Sequence, residues 1–112
     1  MNEVELPAAT LRDLATVFRR YPDLEQVILF GSRATGRATE RSDIDLATRG
    51  IVDRRRLGRL SLDLDEIAIP QECEVHAYEQ IDYEPLKAHI DRWGVPIYEA
   101  GAGARLRSTG RP

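Results

Sequence analysis

The chain has a single cysteine, Cys73, set between Glu72 and Glu74. One thiol can form neither an internal disulfide nor a cysteine metal cluster, so a disulfide scaffold and a zinc ribbon are excluded. Its expected place is as a small buried apolar residue. Aromatic residues are scarce, at 6% of 112 residues, and none interleaves with the arginines to stack bases. There is no basic excess either. Sixteen Lys and Arg face 19 Asp and Glu, for a formal net charge of -3. A general nucleic-acid binder carries a cationic surplus, so no direct nucleic-acid partner is expected. No apolar run is long enough to cross a bilayer. The opening Met1-Asn2-Glu3-Val4-Glu5 lacks the basic segment and apolar stretch of a secretion signal, and the expected location is the cytoplasm, away from membranes. The length fits one domain. We place it at residues 1–100, followed by a small, polar, basic segment, 101–112, expected to be a flexible tail.

The most informative stretch runs from Val27 to Leu46. An apolar segment, Val27-Ile28-Leu29-Phe30, meets Gly31-Ser32; ten residues later come Asp43 and Asp45. The pattern predicts a strand, a tight turn, a short helix and a second strand. With a side-chain period of two, Asp43 and Asp45 share one face of the second strand while Ile44 and Leu46 point into a core. Two neighbouring carboxylates repel each other. A divalent cation between them removes the conflict, and hard oxygen ligands suit Mg²⁺ together with substrate phosphates. Upstream, Gly31 permits a sharp turn and Ser32 can cap the next helix, whose first amides could hold a phosphate.

Gly-Ser, ten residues, Asp-x-Asp resembles the signature of the DNA polymerase beta-type nucleotidyltransferase superfamily. The short length resembles its minimal nucleotidyltransferase (MNT) branch, and Ile90-Asp91-Arg92-Trp93-Gly94-Val95-Pro96-Ile97-Tyr98-Glu99 is similar to the end of MNT proteins. The resemblance spans about residues 10 to 99. It implies that Gly31 and Ser32 bind the triphosphate of ATP, that Asp43 and Asp45 hold Mg²⁺, and that a third acid on a neighbouring strand completes the catalytic site. Residues 72–78 alternate, with Cys73, Val75 and Ala77 on one face and Glu72, Glu74, His76 and Tyr78 on the other. Glu74 aligns where the family usually has aspartate, and Glu72 is a second candidate. Arg33 follows Gly-Ser, as arginine often does in the family, and is expected to meet a phosphate, which a guanidinium fits well. Arg37 and Arg41 are weaker candidates for that contact.

The remaining chain reads as a frame. A first helix is expected over Leu6–Tyr21, begun by Pro7 or capped by Thr10, with Leu11, Leu14, Ala15 and Phe18 inward. A further helix is expected from Val52 or Asp53 to about Leu64, capped by Asp53, with Leu57, Leu60, Leu64 and Ile67 inward. Its Arg54, Arg55, Arg56 and Arg59 form a basic patch, either a solvated face balanced by Asp63, Asp65 and Glu66 or a contact for a protein partner. A last helix, Asp82–Arg92, has Asp82 as cap and His89 packed on Trp93. Gly94 stops it, and Val95–Tyr98 forms a final strand that Pro96 assigns to an edge. With these elements the resemblance implies an α/β (α+β) fold class, a small mixed sheet flanked by helices with a polymerase beta-type nucleotidyltransferase core.

The resemblance implies transfer of a nucleoside monophosphate to a hydroxyl. Many MNT proteins attach AMP to a tyrosine of a HEPN-domain RNase toxin. The reading is thus a Mg²⁺-dependent antitoxin adenylyltransferase, in a hetero-oligomer with its toxin. Two alternatives stand beside it: an antitoxin that masks its toxin by binding alone, and a small-molecule nucleotidyltransferase.

Overall fold

A computed structural model describes residues 6–100 and the backbone of 105–106. Its elements are α1 (Ala8–Phe18), β1 (Gln26–Phe30), α2 (Ser32–Thr35), β2 (Ile44–Arg49), α3 (Arg54–Asp65), β3 (Cys73–Ala77), α4 (Glu84–Trp93), β4 (Val95–Glu99) and β5 (Arg105–Leu106). They build one mixed sheet in the order β3-β2-β1-β4-β5. β1 runs antiparallel to β2 and β4, while β2 and β3 are parallel, joined through α3.

The apolar run of β1 becomes a central strand covered on both faces. Val27 and Leu29 point to the larger core, with Leu11, Leu14, Val17 and Phe18 of α1, Leu60 and Leu64 of α3, and Ile44 and Leu46 of β2. Ile28 and Phe30 point the other way, into a smaller cluster with Ala47 and with Ile90 of α4. Gly94 ends α4 against β1, where a Cβ would overlap Ile28 and the Ile90 carbonyl. The second face is therefore only partly roofed: α4 covers the β1 side, and the polar residues of β2 and β3 continue the same face beyond it.

Several boundaries differ from the sequence expectations. α1 is shorter, with Pro7 at its N-cap and Thr10 buried within it rather than capping. α4 starts after Tyr83, not at Asp82, with Pro85 in its first turn. β3 stops at Ala77, and Tyr78 opens a single 3₁₀ turn, Tyr78–Gln80. β4 is not wholly an edge: Tyr98 and Glu99 pair with Leu106 and Arg105. That pairing falls inside the segment expected to be a tail, and the rest of the segment lies outside the described residues. The Asp53 cap is observed, its carboxylate accepting from the Arg55 amide at 2.8 Å. In the basic patch Arg54, Arg55 and Arg59 are exposed, but Arg56 grips Asp23, with Nε 3.1 Å from Oδ2, and lies over the Tyr21 ring. Asp23, not the acids of α3, balances it. Cys73 is half-buried, and burial pushes its thiol up to about 11, so it stays protonated and unreactive at neutral pH.

The segment after α1 is also tied to α3 by Tyr21, whose hydroxyl donates to Asp63. Burial first, then this hydrogen bond and the Asp63 charge, push the phenol up to about 12 from an ordinary 10.0. A proton held more tightly in the folded state stabilises fully below pH 10.0 and is lost as pH rises toward about 12. The stability of wild type should therefore fall more steeply across that window than that of Tyr21→Phe. Urea melts of both proteins at pH 8 to about 11.5 measure the difference; parallel curves would show that the Tyr21–Asp63 bond contributes nothing.

Candidate active site

The site is assembled by sheet register. Phe30 lies opposite Asp45, and Asp45 lies opposite Glu74. One row of the open sheet face thus reads Phe30–Asp45–Glu74, and the next reads Ile28–Ala47–His76. On the reverse face Ile44 and Leu46 are fully buried, which holds β2 against a slip that would turn Asp45 inward. Asp43 lies one residue before β2 and is exposed; its neighbour Ile44 is anchored by a 2.8 Å bond from its amide to the Glu72 carbonyl.

Asp45 is the least exposed carboxylate of this group. Burial, followed by the nearby charges of Glu74 and Asp43, pushes its pKa up from 3.8; His76 and His89 oppose the rise. Three acids therefore bring negative charge to one place, with Asp45 at the centre and Glu74 exposed, its Oε1 3.9 Å from His76 Nε2. That donor chemistry fits a hard divalent cation. Among the described residues, however, no three His, Cys, Asp or Glu side chains already form a cation cage. The fit requires oxygens from a substrate or water besides these carboxylates, which is the usual way Mg²⁺ is held.

Gly31 forms the floor. Its φ of 79° and ψ of -155° belong to a region open essentially to glycine alone. A Cβ there would overlap Asp45 Oδ2. The turn is fixed on both sides of this residue. The Gly31 amide donates to His89 Nε2 at 3.1 Å. The Gly31 carbonyl accepts from the Ala34 amide at 3.0 Å and from Thr35 Oγ1 at 3.3 Å. Gly31 itself is the N-cap of α2, so Ser32 is the first helical residue rather than the cap expected for it.

Arg33 differs most from its expected place. It is 4% exposed, and its guanidinium turns inward. Nε and a terminal nitrogen donate to the Ser42 carbonyl at 3.1 and 3.0 Å; the terminal nitrogen also reaches the carbonyls of Thr39 at 3.1 Å and Glu40 at 3.3 Å. Arginine carries enough fixed donors to tie off several loop carbonyls at once. Through these bonds it braces loop 37–43, which carries Asp43. Within that loop the Thr39 amide donates to Ser42 Oγ at 2.8 Å.

Sequence reasoning also missed His89. Expected against Trp93, it instead stands edge-on to Phe30, with ring centres 6.0 Å apart, and accepts the Gly31 amide. Trp93 is 43% exposed, with the Arg92 guanidinium over its ring. Helical spacing correctly put His89 on the side of Leu86 and Ile90, but not against the turn. His76 also lies beside Phe30, with ring centres 5.8 Å apart.

Residues 12–101 match the family model described as Polymerase beta, Nucleotidyltransferase. Among functionally curated proteins none matches by sequence. Solved structures match by fold. One is a toxin–antitoxin with AMP-PNP (TM-score 0.66, 20% identity, 82% of this chain and 75% of that chain). Another is the toxin–antitoxin MntA-HepT (TM-score 0.62, 17% identity, 86% and 75%). A third is a tri-AMPylated Shewanella oneidensis HEPN toxin in complex with MNT antitoxin (TM-score 0.63, 18% identity, 84% and 73%).

Proposed function

From the premise that this chain belongs to the polymerase beta-type nucleotidyltransferase family, we propose that it is an MNT antitoxin that transfers AMP from ATP to a hydroxyl of a HEPN-domain RNase toxin. The acceptor fitting this reading best is a tyrosine. The observation that carries it is Asp45, half-buried over the Gly31 turn with Asp43 and Glu74 raising its pKa. The AMP-PNP and AMPylated-toxin structures share its fold and support the choice of ATP and of the partner. The protein works in a hetero-oligomer with that toxin, in the cytoplasm and without a nucleic-acid substrate. Among the described residues no helix is long and apolar enough to cross a membrane.

Asp43, Asp45 and Glu74 would hold Mg²⁺, which when bound supplies charge for the triphosphate and acidifies the attacking hydroxyl. The chain's own part is mainly positional. Asp45 is kept in place by the sheet behind it, and Arg33 holds the loop that presents Asp43. Ser32 and the Gly31 turn bind the outgoing pyrophosphate. Glu74, exposed beside Asp45, takes the proton of the acceptor hydroxyl as it attacks the α-phosphate in line. Such groups are effective because they are placed before charge develops.

One feature favours the second reading, a binding-only antitoxin. Glu74 stands where the family usually has aspartate, and its extra methylene shifts the carboxylate by about 1 Å, enough to matter for reacting geometry. Both readings are tested by mixing the chain with its HEPN partner, Mg²⁺ and each nucleoside triphosphate, then weighing the intact partner. Mass gained only with ATP supports adenylylation; neutralisation without mass gain supports binding alone. In the same assay Glu74→Gln should slow transfer by about 100-fold or more, while Glu74→Asp keeps at least partial activity. A glutamine variant as fast as wild type removes Glu74 from the chemistry. An aspartate variant that transfers where wild type does not would make the natural protein a degenerate enzyme.

A further inference from the structure

The conformation of Gly31 requires a partner for its amide. The turn is partly buried, and an N–H left without an acceptor there costs on the order of 1–3 kcal/mol. Among the described residues no turn or loop carbonyl serves it. The acceptor is His89 Nε2, at 3.1 Å, from a helix 58 residues further along the chain. As the acceptor, Nε2 offers its lone pair to this bond. The ring is steadied by the edge of Phe30, which lies in the same sheet row as Asp45 and Glu74. α4 in turn is seated on β1 through Ile90, packed against Ile28 and Phe30.

From this geometry we infer that His89 is a positioning residue for the phosphate-binding turn: by accepting the Gly31 amide it fixes the Phe30–Gly31 peptide, and with it the approach of Ser32 and Asp45 to a bound nucleotide. The inference rests on the nucleotide-transfer reading above. Two further consequences follow from the bond itself. The Gly31 amide is already committed to His89, so the donors left to the triphosphate in this turn begin at Ser32. The bond also runs from α4 to the floor of the site, so a partner that displaced α4 would loosen the turn.

His89 acts on the nucleotide's placement in ground state and transition state alike. Losing the acceptor should therefore raise KM for MgATP more than it lowers kcat. The experiment compares wild type, His89→Leu and His89→Gln, the glutamine offering a carbonyl oxygen near the former Nε2. Each is examined in three ways: amide hydrogen exchange at Gly31 without nucleotide, MgATP affinity by calorimetry, and AMP transfer kinetics on the partner. The leucine variant should lose Gly31 protection and bind MgATP about tenfold more weakly. Its kcat should change less than its KM, and glutamine should restore most of both losses. Unchanged Gly31 exchange in the leucine variant overturns the inference, as does equal loss of affinity in both variants while they stay folded. Wild type that binds no MgATP, with Gly31 protection still dependent on His89, refutes the nucleotide reading and the positioning role together, leaving a purely structural bond. Wild type that binds and transfers while the leucine variant matches it refutes only the role of His89.

Discussion

Asp45→Asn is expected to abolish nucleotidyl transfer and, at neutral pH, to raise the melting temperature. Both effects follow from one environment. Burial, and then the charges of Glu74 and Asp43, hold the Asp45 pKa above its ordinary 3.8. A carboxylate with a raised folded pKa binds its proton more tightly when folded than when unfolded. Stability is therefore greatest below 3.8 and falls as pH rises through the raised folded value, so at pH 7 the full penalty is present. Asparagine has nearly the same shape and carries no charge. The variant should melt higher than wild type at pH 7, on the order of a few °C, and the gap should close as the medium is acidified below the range where Asp45 ionises. Function moves the other way, because the group that costs stability is the one proposed to draw a cation into the site. Transfer should drop on the order of a thousandfold, and Mg²⁺ should raise the melting temperature of wild type but not of the variant. Thermal melts at two pH values, with and without Mg²⁺, check this. A variant that melts lower at pH 7, or that still responds to Mg²⁺ as wild type does, would remove Asp45 from the centre of the site.

Much of this site could be read from residue order because its parts are governed by local periodicity. Ile44 and Leu46 must face a core, so Asp45 must face away, and the sheet obeys. The alternation around Glu74 gave its face correctly, and the in-register pairing of β3 with β2 then set it opposite Asp45. What periodicity could not show was how long polar side chains are used. Arg33 follows Gly-Ser and carries a charge suited to phosphate, yet the carbonyls of Thr39, Glu40 and Ser42 converge on it once the loop closes, and it is buried instead. A loop that must carry Asp43 has backbone acceptors to satisfy, and the nearest multidentate donor meets them. His89 escaped for a related reason. Its helical side was legible, but the acceptor needed by Gly31 arises from a turn 58 residues earlier. Arg56 repeats the lesson: within a run of arginines it grips Asp23 and lies over the Tyr21 ring, and composition alone does not select it.

Gly31→Ala should have the largest combined effect on stability and binding, and its cost can be divided. One part is conformational. At φ 79° and ψ -155° an L-residue is strained on the order of 1–3 kcal/mol wherever its Cβ points. The other part is contact, because the new methyl would overlap Asp45 Oδ2 and stand 3.2 Å from Asp45 Cγ. The carboxylate is half-buried and its strand is held by Ile44 and Leu46, so it can escape only by turning its end away from the turn. That rotation disperses the carboxylate group proposed to bind Mg²⁺ and the triphosphate. The variant should therefore lose MgATP binding altogether in calorimetry while remaining folded enough to melt cooperatively at a lower temperature. A double-mutant cycle with Asp45→Ala separates the two parts, since shortening Asp45 removes the overlap and leaves the backbone strain. The alanine at position 31 should cost less in the Asp45→Ala background than in wild type, and the difference is the contact contribution. Equal costs in both backgrounds would mean that Asp45 does not lie over Gly31 in solution, and the site would lose the close approach that joins its phosphate-binding turn to its acids.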